Sequence, residues 1–241
     1  MCTVTIVPQN NNDFVLTTNR DEAPNRVSLD PDFYNHGNTK LLFPKDEMAG
    51  GTWVGVSEKQ RVVCVLNGGF EYHERKSSYG KSRGVITKDI LAADAVLESI
   101  EHHDLTDVEP FTMVIADWNN GLKFMEWVWD GNQKHITQLP LEAHIWSSST
   151  LYLPEMKAER LKWFRDFKSE HALNAETLLQ FHKTAGCGNS DFGVIMDRGF
   201  VKTTSITQVE KIDQKVSMRY ENLQKSTLSS VIFNLPQTVN E

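Results

Sequence analysis

Short runs of apolar and β-branched residues, broken by Asn-, Asp- and Gly-rich turns, dominate this chain. Cys2-Thr3-Val4-Thr5-Ile6-Val7 predicts a strand, Pro8 to Asn12 a polar turn, and residues 13–18 the returning strand. Thr52 to Val56 and Arg61 to Leu66 predict a second hairpin, with Gly50 and Gly51 allowing close backbone approach just before it. Strands are also predicted at 111–116, 122–129 and 134–139, joined by Asn119-Asn120-Gly121 and Asp130-Gly131-Asn132. The apolar stripe from Val85 to Ile100 predicts one helix, and further helices are predicted at 155–168 and 175–183. Strands then return near 192–196, 201–210, 215–223 and 227–233. Hairpins, then helices, then hairpins again predict an α+β fold rather than alternating βαβ units. No repeat, low-complexity tract or linker divides the chain, so one domain spanning 1–241 is expected.

Composition narrows the function classes. With 241 residues, 39% of them apolar, the chain is long enough to bury a substantial core. A formal net charge of −7 and the lack of a basic cluster argue against nucleic-acid binding. No apolar run is long enough to predict a membrane span, and no basic flank precedes an apolar segment as in a secretory leader. Cys2, Cys64 and Cys187 are too few and too scattered for a disulfide framework or a zinc spacing. A reduced, cytoplasmic setting is therefore expected.

The N-terminus carries the candidate chemistry. Trimming of Met1 leaves Cys2 with a free α-amine, so one residue supplies a thiol nucleophile and a base for its proton. The first hairpin returns Asn19-Arg20-Asp21-Glu22 to the side of Cys2. A cation there lowers a thiol pKa, and an amide helps to fix a substrate carbonyl. The alternative identity of Arg20-Asp21 is a solvated turn.

Met1-Cys2, Asn19-Arg20-Asp21-Glu22 and Gly50-Gly51-Thr52-Trp53-Val54-Gly55-Val56 resemble the NRDE family, whose eukaryotic members are the transport and Golgi organisation protein 2 group. The likeness continues through Trp146-Ser147-Ser148-Ser149-Thr150 and Lys202-Thr203-Thr204-Ser205. That family is similar in layout to the N-terminal-nucleophile hydrolases of the penicillin V acylase and choloylglycine hydrolase branch. The resemblance implies a four-layer αββα sandwich of antiparallel sheets. It implies Cys2 as nucleophile, Asp21 as the residue orienting its amine, and Asn67 in the oxyanion-hole segment Leu66-Asn67-Gly68-Gly69. Three positions depart from the branch. Arg20 stands two residues after the acylases' arginine position, which here is Thr18, yet on the same strand face. Ser148 replaces an oxyanion-binding asparagine, and Lys202 replaces an arginine.

Two functional classes follow. One is a cysteine amidohydrolase that cleaves a non-peptide C–N bond of an N-acyl compound. Cys2, Asp21, Asn67 and Arg20 would act as its catalytic set, and Asn19, Trp53, Ser148 and Lys202 would line the substrate. The other is a binding or trafficking protein that uses the same pocket for acyl-CoA, lipid or haem, ligands implied by the resemblance alone. No cofactor and no metal are expected: His73, His102 and His103 lack a ligand spacing, and a haem-attachment Cys-x-x-Cys-His pattern is missing. Gly186 to Asp191 reads as an inter-element turn, with a loop edging a pocket the alternative, and Gly80-Lys81-Ser82 as a loop without a phosphate-binding frame. Trp127 and Trp129 share a strand face, with core packing the default and an apolar groove the alternative.

Overall fold

The computed structural model describes residues 2–10 and 12–235, with Cys2 described by its backbone alone. The chain opens with β1 (Cys2–Pro8), β2 (Phe14–Glu22), β3 (Ser28–His36), β4 (Thr39–Asp46), β5 (Val54–Ser57) and β6 (Arg61–Asn67). Helices α1 (Arg83–Ala92) and α2 (Val96–His102) follow, then β7 (Phe111–Asp117), β8 (Lys123–Trp129), β9 (Lys134–Leu139) and β10 (His144–Ser147). The chain continues through α3 (Pro154–Glu170), α4 (Ala175–Thr184), β11 (Lys202–Ile212), β12 (Lys215–Asn222) and β13 (Thr227–Asn234).

Two antiparallel sheets result, in the orders β10-β1-β2-β11-β12-β13 and β3-β4-β5-β6-β7-β8-β9. Helix α1 packs on β4, β5 and β6 of the second sheet, whereas α4 packs on β2 and β11, and α3 on β10, of the first. Helices thus cover the outer face of each sheet, the α+β sandwich expected. Strand alternation divides the apolar residues between two cores. Val4, Ile6, Phe14 and Leu16 join the large inter-sheet cluster, and Val7 and Val15 pack with Phe164, Leu178 and Phe181 beneath the helices. Trp127 belongs to the large core cluster and Trp129 packs on it, on the helix-covered face of the second sheet; Trp127 meets Phe111 edge-on at 4.8 Å and His103 at 6.4 Å, and Trp129 Nε1 donates to the Val108 carbonyl at 3.0 Å. Trp127 is fully buried, whereas Trp129 also borders a surface cavity with His103 and Lys134.

Three local outcomes differ from the sequence pattern. The helix predicted over Val85 to Ile100 is two helices. The buried Arg61 guanidinium donates to the carbonyls of Ile90 at 2.9 Å and Ala93 at 2.7 Å, ending α1 in its own carbonyl-rich terminus. The segment near Phe192 to Met196 is a loop, because its carbonyls go to side chains instead of a ladder: Phe192 and Gly193 accept from Arg160, and Val194 from Asn19. The hairpin of β3 and β4 and the edge strand β10 appear in addition. Polar interruptions such as Asp30-Pro31-Asp32 hide the first, beside a bulge between Leu29 and Asp32.

Candidate functional site

The first hairpin sets the site by register. Cys2 pairs with Arg20 and Thr3 with Asn19. On the other side of β2, Thr203 pairs with Asp21 and Ser205 with Arg20, with a bulge between Thr203 and Ser205. The period of two then sends alternate residues of β2 to opposite faces. Position 2 has the parity of Val4 and Ile6, and its side chain lies outside the described residues.

Arg20 lies on the inter-sheet side. Its guanidinium donates to Asp46 Oδ2 at 2.6 Å and sits 4.6 Å above the Trp53 ring, with Glu22 at 3.7 Å. Asp46 also accepts from Arg26 Nε at 2.7 Å and from the Ala49 amide at 2.9 Å. Arg20, Trp53 and Asn67 line one cavity of about 360 Å³, whose rim carries Arg26, Arg75, Lys76, Lys81 and Arg83 against Glu22, Asp46 and Glu109. Arg83 forms an ion pair with Glu109 at 3.0 Å, and burial lowers its pKa.

Asn19 and Asp21 lie on the opposite, helix-covered face. Asp21 is fully buried; Tyr152 Oη donates to its Oδ2 at 2.6 Å and Thr203 Oγ1 to its Oδ1 at 2.8 Å. Loss of solvation raises its pKa against the opposing pull of Arg160 and these two hydroxyls. Asn19 has its amide committed. Its Nδ2 donates to the carbonyls of His182 at 2.9 Å and Val194 at 2.8 Å, and its Oδ1 pairs with His182 Nδ1. The acceptor at Nδ1 fixes the tautomer: Nδ1 carries the proton, and Nε2 accepts from Thr5 Oγ1 at 2.8 Å. Desolvation, then Arg160, lowers the His182 pKa to about 3. Asn19 therefore fastens α4 to the sheet, and the structure does not bring it into the Arg20 cavity.

Ser148 is buried, and its hydroxyl donates to the Asn67 carbonyl at 2.7 Å. It lines a second cavity of about 300 Å³ on the far side of Asn67, together with Leu66, Trp146 and Lys157. Its proton is thus spent on the peptide after Asn67. Lys202 starts β11 opposite Glu22 and borders a third cavity with Asn189 and Glu221, apart from Arg20 and Trp53. Of the proposed set, Arg20, Trp53 and Asn67 meet in one cavity, and Asp21 stands behind Arg20 through the sheet.

Sequence reasoning missed Tyr152, Arg160, His182 and Asp46. Arg160 is fully buried in α3 with its guanidinium 3.6 Å above the Tyr152 ring. It donates to Thr3 Oγ1, to Ser147 Oγ at 3.4 Å, and to the Phe192 and Gly193 carbonyls at 2.9 and 2.8 Å. The position of Arg160 within an otherwise charged helix gives no signal of this burial. Of the weighed histidines, His73 meets Glu109 at 3.4 Å and His103 meets Asp89 at 3.6 Å, and no metal-ligand group exists among the described residues.

This architecture is the N-terminal-nucleophile hydrolase fold. The chain superposes on the penicillin V acylase of Agrobacterium tumefaciens with a TM-score of 0.57 at 10% identity, covering 95% of this chain and 86% of the acylase. The Caenorhabditis elegans ortholog of N-acylethanolamine-hydrolyzing acid amidase gives 0.59 at 10% identity, over 86% and 92% of the two chains. A variant of the conjugated bile acid hydrolase of Clostridium perfringens gives 0.54 at 10%, over 95% and 92%. At such identity the likeness establishes the fold alone. The chain belongs to the Transport and Golgi organisation 2 family, whose model matches residues 1–235. No curated protein matches it.

Proposed function

We propose that this chain is an N-terminal cysteine amidohydrolase acting on a small N-acyl compound. The observation that carries the reading is the register of the first hairpin, which sets position 2 directly opposite Arg20 and beside Asp21 in a fold shared with acylases and amidases. With Met1 removed, the Cys2 thiol attacks the substrate carbonyl as its proton passes to the α-amine. The oxyanion forms near Asn67, whose carbonyl is tied by Ser148. The C–N bond breaks as the amine leaves with the proton from the α-ammonium, and water then releases the acid from the thioester and restores the thiol. Asp21, held by Tyr152 and Thr203, supports the charge on the amine. Arg20, held by Asp46, lends positive potential to the thiolate or to a polar end of the substrate.

The test is a panel of chromogenic N-acyl amides with native and Cys2→Ala chains, with peptide mapping for an acyl group on a Met1-free Cys2. Turnover that vanishes in Cys2→Ala, with a thioester on Cys2, is the expected result. Turnover unchanged in Cys2→Ala would overturn the reading. Ligand retention by both chains without any turnover would instead favour the binding protein.

A further inference from the structure

The second cavity holds two cations that have no carboxylate within ion-pair distance among the described residues. Arg160 is bonded to hydroxyls and carbonyls only, as described above. Lys157, one turn earlier on α3, donates through Nζ to Ser149 Oγ at 2.7 Å. Ser149 passes its own proton to the Gly69 carbonyl at 2.6 Å, so it serves the ammonium purely as an acceptor. An ammonium has three donors, and a serine oxygen answers one of them. The one carboxylate on the cavity wall is Glu126, which accepts from Trp146 Nε1 at 2.7 Å. Arg160 is also drawn to the buried Asp21 behind Tyr152, so Lys157 is the cation on this wall left without a carboxylate of its own among the described residues.

Leu66, Phe70, Val128 and Leu161 form the apolar part of the remaining wall, beside the hydroxyls of Thr112, Ser147 and Ser148. Phe70 and Leu161 remain 55% and 50% exposed, a cost that an apolar occupant would reduce. A half-buried ammonium without an anion is also costly, and burial lowers the pKa of Lys157 accordingly. One occupant relieves both.

We propose that this cavity binds a medium-chain carboxylate, with Lys157 holding the carboxylate, Ser149 orienting the ammonium, and Leu66, Phe70, Val128 and Leu161 lining the alkyl tail. A monoanion fits the one unpaired ammonium, and a volume of about 300 Å³ is at the small end of ligand pockets. The site lies apart from Arg20 and Trp53 and does not depend on turnover at Cys2.

The experiment titrates octanoate, octanol and octylamine into the full chain, followed by calorimetry and backbone amide shifts. Octanoate should bind more tightly than octanol by about tenfold, the scale of a charge-assisted hydrogen bond, and octylamine weakest. Amide shifts should centre on Gly69, Ser149 and the first turns of α3. Lys157→Met should remove that tenfold preference, and Lys157→Arg should keep most of it. Cys2→Ala should bind octanoate as the native chain does, so a failed hydrolase reading leaves this result standing. Equal affinity for octanoate and octanol, unchanged octanoate affinity in Lys157→Met, or shifts centred on Arg20 and Trp53 would each overturn the proposal. Should Lys157→Met not fold, the ligand comparison on the native chain and Lys157→Arg decides.

Discussion

The Tyr152 phenol donates to Asp21 Oδ2 across 2.6 Å, joining the loop ahead of α3 to the end of strand β2. With Thr203 on Oδ1 and the Arg160 guanidinium over the Tyr152 ring, a buried carboxylate is held by two hydroxyls and a nearby cation. The arrangement fixes Asp21 on the side of β2 away from the Arg20 cavity. Tyr152 and Thr203 accordingly hold the Asp21 carboxylate in place.

Tyr152→Phe keeps the ring beneath Arg160 and removes one donor from Asp21. A buried acceptor left unsatisfied costs about 1–3 kcal/mol. Urea denaturation of the variant at neutral pH should show that loss with an unchanged slope. A midpoint equal to that of the native chain would contradict the assignment.

The raised pKa of Asp21 gives its own pH signature. The folded chain holds this proton more tightly than the unfolded chain, so Asp21 favours the fold below its unfolded value of 3.8. That contribution is lost as pH rises through the raised folded value. Asp21→Asn removes the ionisation, so its stability relative to the native chain should increase with pH across that interval. Parallel denaturation curves at about pH 4 to 8, a range spanning the carboxylate and histidine reference values, would show it. A difference that stays constant with pH would count against a raised Asp21.

Much of the fold was legible, and the reasons are local. The β-branched run of Thr3 to Val7 and the polar turn after it specify the first hairpin, and the hairpin specifies that Arg20 meets Cys2. Asn19 shows where this reasoning ends. Alternation alone puts it opposite in face to Arg20, but its role depends on His182, a residue 163 positions later. The break between α1 and α2 has the same origin: Arg61 lies some thirty residues upstream of the carbonyls it binds, and its sequence neighbours read as an ordinary strand. Ser148 and Lys202 were assigned by resemblance, and their packing puts each on a separate cavity. Pairings set by tertiary closure carry no periodicity in the chain.

Neutral His182 makes the fold sensitive to acid. Its folded pKa of about 3 lies below the reference 6.5, so its contribution is complete above 6.5 and is lost as pH falls toward 3. Across that window the loss is on the order of 4–5 kcal/mol, at 1.36 kcal/mol per unit. His182→Gln, which carries no titrating group, should be less stable at neutral pH and flatter between pH 6.5 and 3. Asn19→Ala leaves the His182 and Val194 carbonyls and the Nδ1 proton without their partner, at about 1–3 kcal/mol for each group that water cannot reach. Denaturation against pH separates the two: a native chain as flat as His182→Gln would exclude a buried neutral imidazole.

Arg20 tests whether its cavity is preorganised by Asp46. Removing one partner of a buried ion pair is costly because the other charge remains in place, at about 3–5 kcal/mol. Arg26 also reaches Asp46 Oδ2, at 2.7 Å, and it is itself 32% exposed. Arg20→Ala should therefore lie near the lower end of that range, and Arg20→Ala with Arg26→Ala should cost more than the sum of the two. Arg20→Lys retains the charge but lacks the planar group that lies over Trp53 while bonding Asp46, so it should recover only part of the loss. Asp46→Asn should lower stability less than Arg20→Ala and release the guanidinium toward the cavity, where an anionic substrate analogue would then bind more tightly. Additive costs for Arg20 and Arg26, together with full rescue by lysine, would mean that Asp46 does not organise the guanidinium.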